Sequence, residues 1–337
     1  MRTPPRPVRL SLLDRAVIAE GETAAETLRE VVSHAKQAEA LGFHRYWVAE
    51  HHSVPGIAGS VPTVLAAAVA AATDRIRVGT GGVMLPNHRP LVVAEQFGVL
   101  ESLFEGRIDM GLGRTLGFVP AVRAALGRDL DDGDDFDDLL TELLGYFTGE
   151  QRFHPGVHAR PGEGLRPEPF VLAVGSGGEY AARHGVGLVI AASKDLAATR
   201  AKIDDYRLGF RPSVWRSEPY VLVAQTVAVA ATREAAEDLL LPEYWSTALS
   251  RTKGEFPPLR PPAEIRAAAK THRESMYLEQ ALAGAVYGTA DEVAPRLADL
   301  VEATGADELL IGTTSYDRKA LFDSHRRLAE LSGLASH

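Results

Sequence analysis

The stretch FHRYWVAEHHSVPGIAGSVPTVLAAAVAAATDRIRVGTGGVMLPNHRPLVVAEQFGVLESLFEGRIDMGLGR (Phe43–Arg114) alternates between two residue patterns, and that alternation decides the fold. Phe43–Glu50 (FHRYWVAE), Ile76–Val83 (IRVGTGGV) and Ile108–Gly113 (IDMGLG) are short, largely apolar runs of strand length. Between them, Pro62–Thr73 is an alanine-rich helix, and a second helix runs from about Pro90 to Phe104. The same alternation extends outward. Upstream lie a strand over Val8–Asp14 and a helix over Glu22–Leu41, with Ala24, Leu28, Val31, Val32, Ala35 and Ala38 at helical spacing and Gly42 as its stop. Downstream, helical segments reach about Gly149. Strands follow over Phe170–Ser176, Gly187–Ser193, Tyr220–Ala230 and Glu308–Thr313, with helices after them to about His184, over Leu196–Gly209 and Arg233–Leu240, and to about Leu331.

Eight strand–helix units with right-handed crossovers predict an α/β fold, a (β/α)8 TIM barrel. A doubly wound open sheet alternates in the same way. The count of eight favours the barrel, as do polar or glycine-rich strand ends at Glu50-His51-His52, Gly81-Gly82, Gly113-Arg114 and Gly175-Ser176. No linker divides the chain, so residues 1–337 are expected to form one domain. Two excursions interrupt it, at about 150–168 and 241–285. The second, an insertion before strand 8 that contains FPPLRPP (Phe256–Pro262), suits a lid or an extension of the outer wall.

Composition narrows the function. The chain has 337 residues, 45% hydrophobic and 24% charged, enough for a large core. A net charge of −9 gives no support to capture of nucleic acid or an anionic membrane. Without cysteine there is no disulfide, zinc-thiolate site, Fe–S cluster or thiol nucleophile. The longest apolar run, Val64–Ala72, is too short to span a bilayer, and the N-terminal MRTPPRP lacks a signal core, so a cytoplasmic location is expected.

Candidate chemistry gathers at the strand ends. In Glu50-His51-His52, strand alternation expects one histidine at the barrel mouth and the other turned away. The pattern is not HExxH, and no metal is expected. Gly79-Thr80-Gly81-Gly82 fits either close approach of a ligand or tight packing within the barrel. Gly111-Leu-Gly-Arg114-Thr-Leu-Gly117 fails the dinucleotide fingerprint, since Leu116 stands where glycine is needed, but it releases an arginine suited to phosphate or to a surface salt bridge. Val174-Gly-Ser-Gly-Gly178 opens a helix with free amides and a hydroxyl, or is a simple helix cap; Val174 breaks the GxSxG pattern of serine hydrolases. Asp129–Asp138 (DLDDGDDFDD) is a solvated helix start, not an EF-hand loop.

Several of these motifs are long and collinear with a known family. RYWVAEHH (Arg45–His52), RIRVGTGGVMLPNHRP (Arg75–Pro90), LVVAEQFGVLESLFEGRIDMGLGR (Leu91–Arg114) and GADELLIGTT (Gly305–Thr314) resemble the bacterial-luciferase-like, flavin-dependent monooxygenases. The match is strongest from Phe43 to Arg114 and thin between about 240 and 285. The resemblance implies a TIM barrel that takes reduced FMN from a separate flavin reductase, reacts it with O2 and oxygenates a small organic substrate through a C4a-hydroperoxyflavin. It also implies a homodimer. His51 then matches the catalytic histidine, expected to titrate near the working pH. Gly81 and Gly82 match a cis-bonded pair beside the flavin ring. Arg114 matches an arginine on the FMN phosphate, and Ser176 with the amides of Gly177 and Gly178 matches the other half of that site. The sequence departs from the family at Gly113, where the luciferase α chain has a reactive cysteine, and in a shorter turn after Ser176. A second phosphate arginine is Arg123 or Arg128. Relatives that bind the deazaflavin F420 make hydride transfer on the same barrel the alternative, and a catalytically silent flavin-binding protein is a third reading.

Overall fold

A computed structural model of the chain describes residues 8–116, 119–128, 135–173 and 177–333. In chain order the first half holds β1 (Arg9–Asp14), α1 (Ala24–Ala40), β2 (Arg45–Val48), α2 (Pro62–Ala71), β3 (Arg77–Thr80), β4 (Val83–Met84), α3 (Pro90–Leu103), β5 (Ile108–Gly113), α4 (Pro120–Ala125) and α5 (Phe136–Thr148). The second half begins with β6 (Glu168–Ala173), α6 (Gly178–His184), β7 (Gly187–Ala191), α7 (Leu196–Gly209), β8 (Val221–Gln225), β9 (Val227–Val229) and α8 (Arg233–Lys253). It continues through α9 (Pro262–Ala267), α10 (His272–Gly284), β10 (Val286–Gly288), α11 (Ala290–Thr304), β11 (Glu308–Ile311) and α12 (Arg318–Leu331).

Strands β1, β2, β3, β5, β6, β7, β8 and β11 pair side by side in parallel, and the β11–β1 and β3–β5 pairings close the ring. The fold is the eight-stranded parallel barrel, and the open doubly wound sheet is excluded. Period-two alternation sorts the side chains. Tyr46, Val48, Ile108, Met110, Leu112, Leu309 and Ile311 point outward into the core shared with the helices. Trp47, Phe170, Val189, Leu222 and Leu310 fill the middle of the barrel, with Leu13 and Leu172 packed above them. Below lies a buried ionic layer. The Arg45 guanidinium contacts Asp109 at 2.8 Å, Glu168 at 3.0 Å and Glu308 at 3.1 Å, and the Trp47 indole N–H donates to Asp109 at 2.8 Å. The middle of the barrel is therefore plugged from below by these charged side chains.

Three boundaries differ from the sequence expectation. The third strand is broken: β3 ends at Thr80 and β4 resumes at Val83, with a cis peptide between Gly81 and Gly82. The Tyr220–Ala230 run is two strands. β8 is a barrel stave, while β9 leaves the ring to pair with β10, Val227 matching Val286. The helix expected to stop at Leu240 continues through Pro242 to Lys253, because Leu239, Leu240, Leu241, Trp245 and Ala248 keep one side of it buried past the proline.

The insertion is helical rather than loose. Leu241, Trp245 and Ala248 of α8 share a small core with Ile265 of α9 and Leu278 of α10, extending the outer wall. Its proline-rich part crosses the loops after β1 and β2. The Gly56 N–H donates to the Phe256 carbonyl at 2.9 Å, the Leu259 N–H to Ile18 at 2.8 Å and the Glu20 N–H to Leu259 at 2.7 Å. Among the described residues no helix is long and apolar enough to cross a membrane.

Candidate active site

The exits of β2, β3, β5 and β6 surround a cavity of about 250 Å3. Its lining includes His51 and His52 from the β2 exit, Gly81, Gly82 and Met84, Gly113 and Thr115 from the β5 exit, Leu172 of β6, and Val119 and Val122 at α4. Both histidines line it, although strand alternation expected only one to do so. The reason is local: β2 ends at Val48, and Ser53 has a φ of 54°, so the chain at 49–53 is no longer a strand.

His51 is fixed by its backbone, whose N–H donates to the Gly59 carbonyl at 2.9 Å. Its Nδ1 is buried and has no hydrogen-bond partner among the described residues. Burial, reinforced by the positive charge of Arg15, pushes its pKa down to about 4. The imidazole is thus neutral at ordinary pH, where the sequence alone suggested one poised to titrate.

Glu50 is the structural centre of the β2 exit. Its carboxylate is fully buried and accepts from His52 Nε2 at 2.7 Å, His88 Nε2 at 2.9 Å and the Met84 N–H at 3.0 Å. Burial works against its ionisation, but the hydrogen bonds from His88 and His52 outweigh it and hold the carboxyl below its usual range. These three side chains bring ligand-type atoms within 4.8 Å of one another, close enough to suggest a metal ion. Ligands about 2.1 Å from one ion would stand about 3.4 Å apart, wider than the observed contacts. Both imidazoles also aim at the carboxylate rather than at a point between the three groups. The arrangement is a hydrogen-bonded hub.

The phosphate residues expected from sequence are placed less tightly. Arg114 is exposed at the β5 exit, between the lining residues Gly113 and Thr115, with no ion pair among the described residues. Ser176 lies outside the described residues. Gly177 caps α6 and Gly178 begins it, the latter backed by Tyr206 and Leu188; neither lines the cavity. Arg123 lies on α4, and Arg128 Nη2 reaches the His88 carbonyl at 3.5 Å. The structure thus brings His51, Gly81 and Gly82 together around one cavity, sets Arg114 at its rim, and leaves Gly177 and Gly178 outside its lining. Sequence reasoning missed Glu50 as an organising carboxylate and missed His88, although His88 sits beyond a strand exit, where barrel sites are built.

The luciferase-like monooxygenase family model matches residues 8–308. The chain belongs to that family. A luciferase-like monooxygenase of Escherichia coli (strain K12) is 34% identical over 94% of this chain and 95% of its own length. The uncharacterized protein YvbT of Bacillus subtilis (strain 168) is 36% identical over 96% of both chains. Among solved structures, apo-MsnO8 superimposes with a TM-score of 0.85 at 30% identity, covering 97% of this chain and 99% of that one. More distant members share the fold alone. They include the oxygenating constituent of 3,6-diketocamphane monooxygenase from Pseudomonas putida in complex with FMN (TM-score 0.73, 20% identity, covering 96% of this chain and 97% of that one). An F420-dependent secondary alcohol dehydrogenase is a second (TM-score 0.72, 14% identity, covering 97% and 99%). The first of these is in complex with FMN and the second with an F420–acetone adduct.

Proposed function

We propose that this protein is a monooxygenase that binds reduced FMN, delivered by a separate flavin reductase, and uses O2 to oxygenate a small organic substrate. The observation that carries the reading is the cavity: a buried, unpartnered imidazole nitrogen of His51 beside the Gly81–Gly82 backbone, with Met84, Val119, Val122 and Leu172 as apolar lining. An orphaned polar atom in a largely apolar cavity calls for a ligand with ring polarity at its edge and a flat apolar face. The residues fit a flavin. Gly81 and Gly82 would lie along its ring. Arg114, with Ser176 and the amides of Gly177 and Gly178, would hold its phosphate. When bound, reduced FMN supplies the electrons that activate O2. The chain itself binds and orients the flavin, keeps water from the reacting atoms, and presents a neutral His51 that can accept one proton.

The same reading places the enzyme in the cytoplasm as a homodimer. Val61 and Val64 at α2 and Val92, Val99 and Leu103 on α3 are exposed on neighbouring helices, where a second copy would cover them.

Anaerobic titration tests the cofactor. Reduced FMN is expected to bind more tightly than reduced F420, and admission of air is expected to consume O2 with oxygenated product. Preference for F420, with hydride transfer and no O2 uptake, would establish the deazaflavin alternative instead. Flavin binding with no O2 uptake would mark a catalytically silent flavin protein.

A further inference from the structure

We propose that His88, Glu50 and His52 form a proton relay from solvent to the cavity that His51 lines, a proposal that rests on the monooxygenase reading above. The three side chains make a continuous hydrogen-bonded wire. His88 Nε2 lies 2.9 Å from Glu50 Oε1, and His52 Nε2 lies 2.7 Å from the same oxygen. The ends of the wire differ from its middle. The His88 side chain is 30% exposed and lies outside the cavity lining, while Glu50, 0% exposed, and His52, 20% exposed, both line the cavity. A buried carboxylate in the cavity wall, bonded to an imidazole outside that lining, links the cavity to solvent through groups that can carry a proton.

The reaction needs such a path. When flavin enters as its reduced monoanion, oxygenation takes up one proton per O2, because one oxygen atom enters the substrate and the other leaves as water. His51 holds no spare proton for this, since burial keeps it neutral well above its pKa of about 4. In the relay, a proton from the medium binds His88 at Nδ1, and the His88 Nε2 proton passes to the Glu50 carboxylate. Once the His52 ring has moved its own proton from Nε2 to Nδ1, Glu50 hands its proton to the vacated Nε2, and His52 releases the Nδ1 proton into the cavity. One proton enters for each delivered, every group ends with the number it began with, and the two rings reset by exchanging tautomers.

Two variants of the full-length protein separate a relay from a merely structural hub. His88→Ala removes the outer imidazole, and added imidazole can stand in for it. Glu50→Gln keeps the size and the Met84 contact but blocks the wire inboard of His88. The probe is reduced FMN with O2 and no added substrate, a reaction that also takes up one proton as peroxide is released. Both variants are expected to slow reoxidation of bound flavin on the order of 10- to 100-fold, with a larger solvent isotope effect. Imidazole should restore His88→Ala and leave Glu50→Gln slow. A second readout needs no flavin: in 15N spectra of the flavin-free protein, His88→Ala should shift the His52 Nε2 resonance and slow its exchange with solvent. Wild-type rates in His88→Ala, a loss that imidazole does not repair, or an unmoved His52 resonance would overturn the relay. If wild-type protein with reduced FMN takes up O2 no faster than free flavin, the monooxygenase reading falls, and the relay falls with it.

Discussion

The His51 ring is neutral because its imidazole is buried in the cavity wall and Arg15 adds positive charge nearby, so the proton transfer proposed for it starts from the neutral form. Its pKa of about 4 lies below the ordinary histidine value, so it becomes charged only under strongly acidic conditions. Steps that need the neutral ring should therefore keep a constant kcat/KM from about pH 5.5 to 8 and fall as pH drops toward 4. An inflection near pH 6.5 that disappears in His51→Ala would show an imidazole titrating as if in water, contrary to this environment. Removing the ring should leave FMN affinity near wild type and lower turnover roughly 100-fold or more. Arg114 should behave in the opposite sense. Arg114→Ala is expected to weaken FMN binding roughly 10- to 100-fold, and an unchanged Kd in a flavin titration would remove it from the phosphate site. At this scale the sequence was legible where the candidate residues are contiguous. Gly81 and Gly82 follow β3 directly and His51 lies three residues beyond β2, so their place near strand exits was legible, while the choice of His51 over His52 came from the family resemblance. Glu50 was not legible, because a glutamate after a strand reads as a solvated charge and its partner His88 lies 38 residues away.

Strands and helices were found by period, and their errors trace to interactions that no local pattern encodes. The glycines illustrate this. A Cβ at Gly79 would sit 2.5 Å from the Asp109 carbonyl oxygen, one at Gly82 2.8 Å from that of Gly111, and one at Gly111 1.9 Å from that of Thr80. Packing of β3 and β4 against β5 therefore accounts for glycines that sequence alone left open between packing and ligand contact. The Gly111–Gly117 run likewise owes its first glycine to strand packing, not to a dinucleotide. Arg45 shows the same blind spot. A charged residue opening a strand suggests solvent, yet its side chain is 2% exposed and faces Asp109 and Glu308, both at 0%. Breaking that layer should be costly. Arg45→Ala deprives two buried carboxylates of a counter-charge, and only part of the loss is covered by Arg77 on Asp109 and by Ser11 and Tyr220 on Glu308. Urea unfolding should register a loss of about 3 kcal/mol, near the lower end for a broken buried pair. A loss under 1 kcal/mol would mean that the neighbours compensate fully.

For the whole molecule, counting strand–helix units sufficed to predict ring closure, because eight parallel staves leave few other ways to pair every edge. What the count cannot supply is which outer face remains uncovered. Of the eleven large apolar residues exposed among those described, five lie on α2 or at its start and on α3, and they are not scattered. Val92, Val99 and Leu103 recur at spacings of seven and four, one stripe along α3, while Val61 and Val64 flank a groove of about 560 Å3 beside α1. A soluble monomer rarely leaves so concentrated an apolar stripe open to water. A second copy related by a twofold axis would lay the stripe against itself, since a twofold contact uses the same patch on both partners. Light scattering should therefore give the dimer mass for the wild type at micromolar concentration. In the double variant Val64→Asp, Leu103→Asp, dimerisation would bury two carboxylates per protomer without counter-charges, so the mass should fall to that of a monomer. FMN affinity should survive the change, because neither position lines the cavity. A monomeric wild type, or a double variant that stays dimeric, would show that this stripe is not where the copies meet.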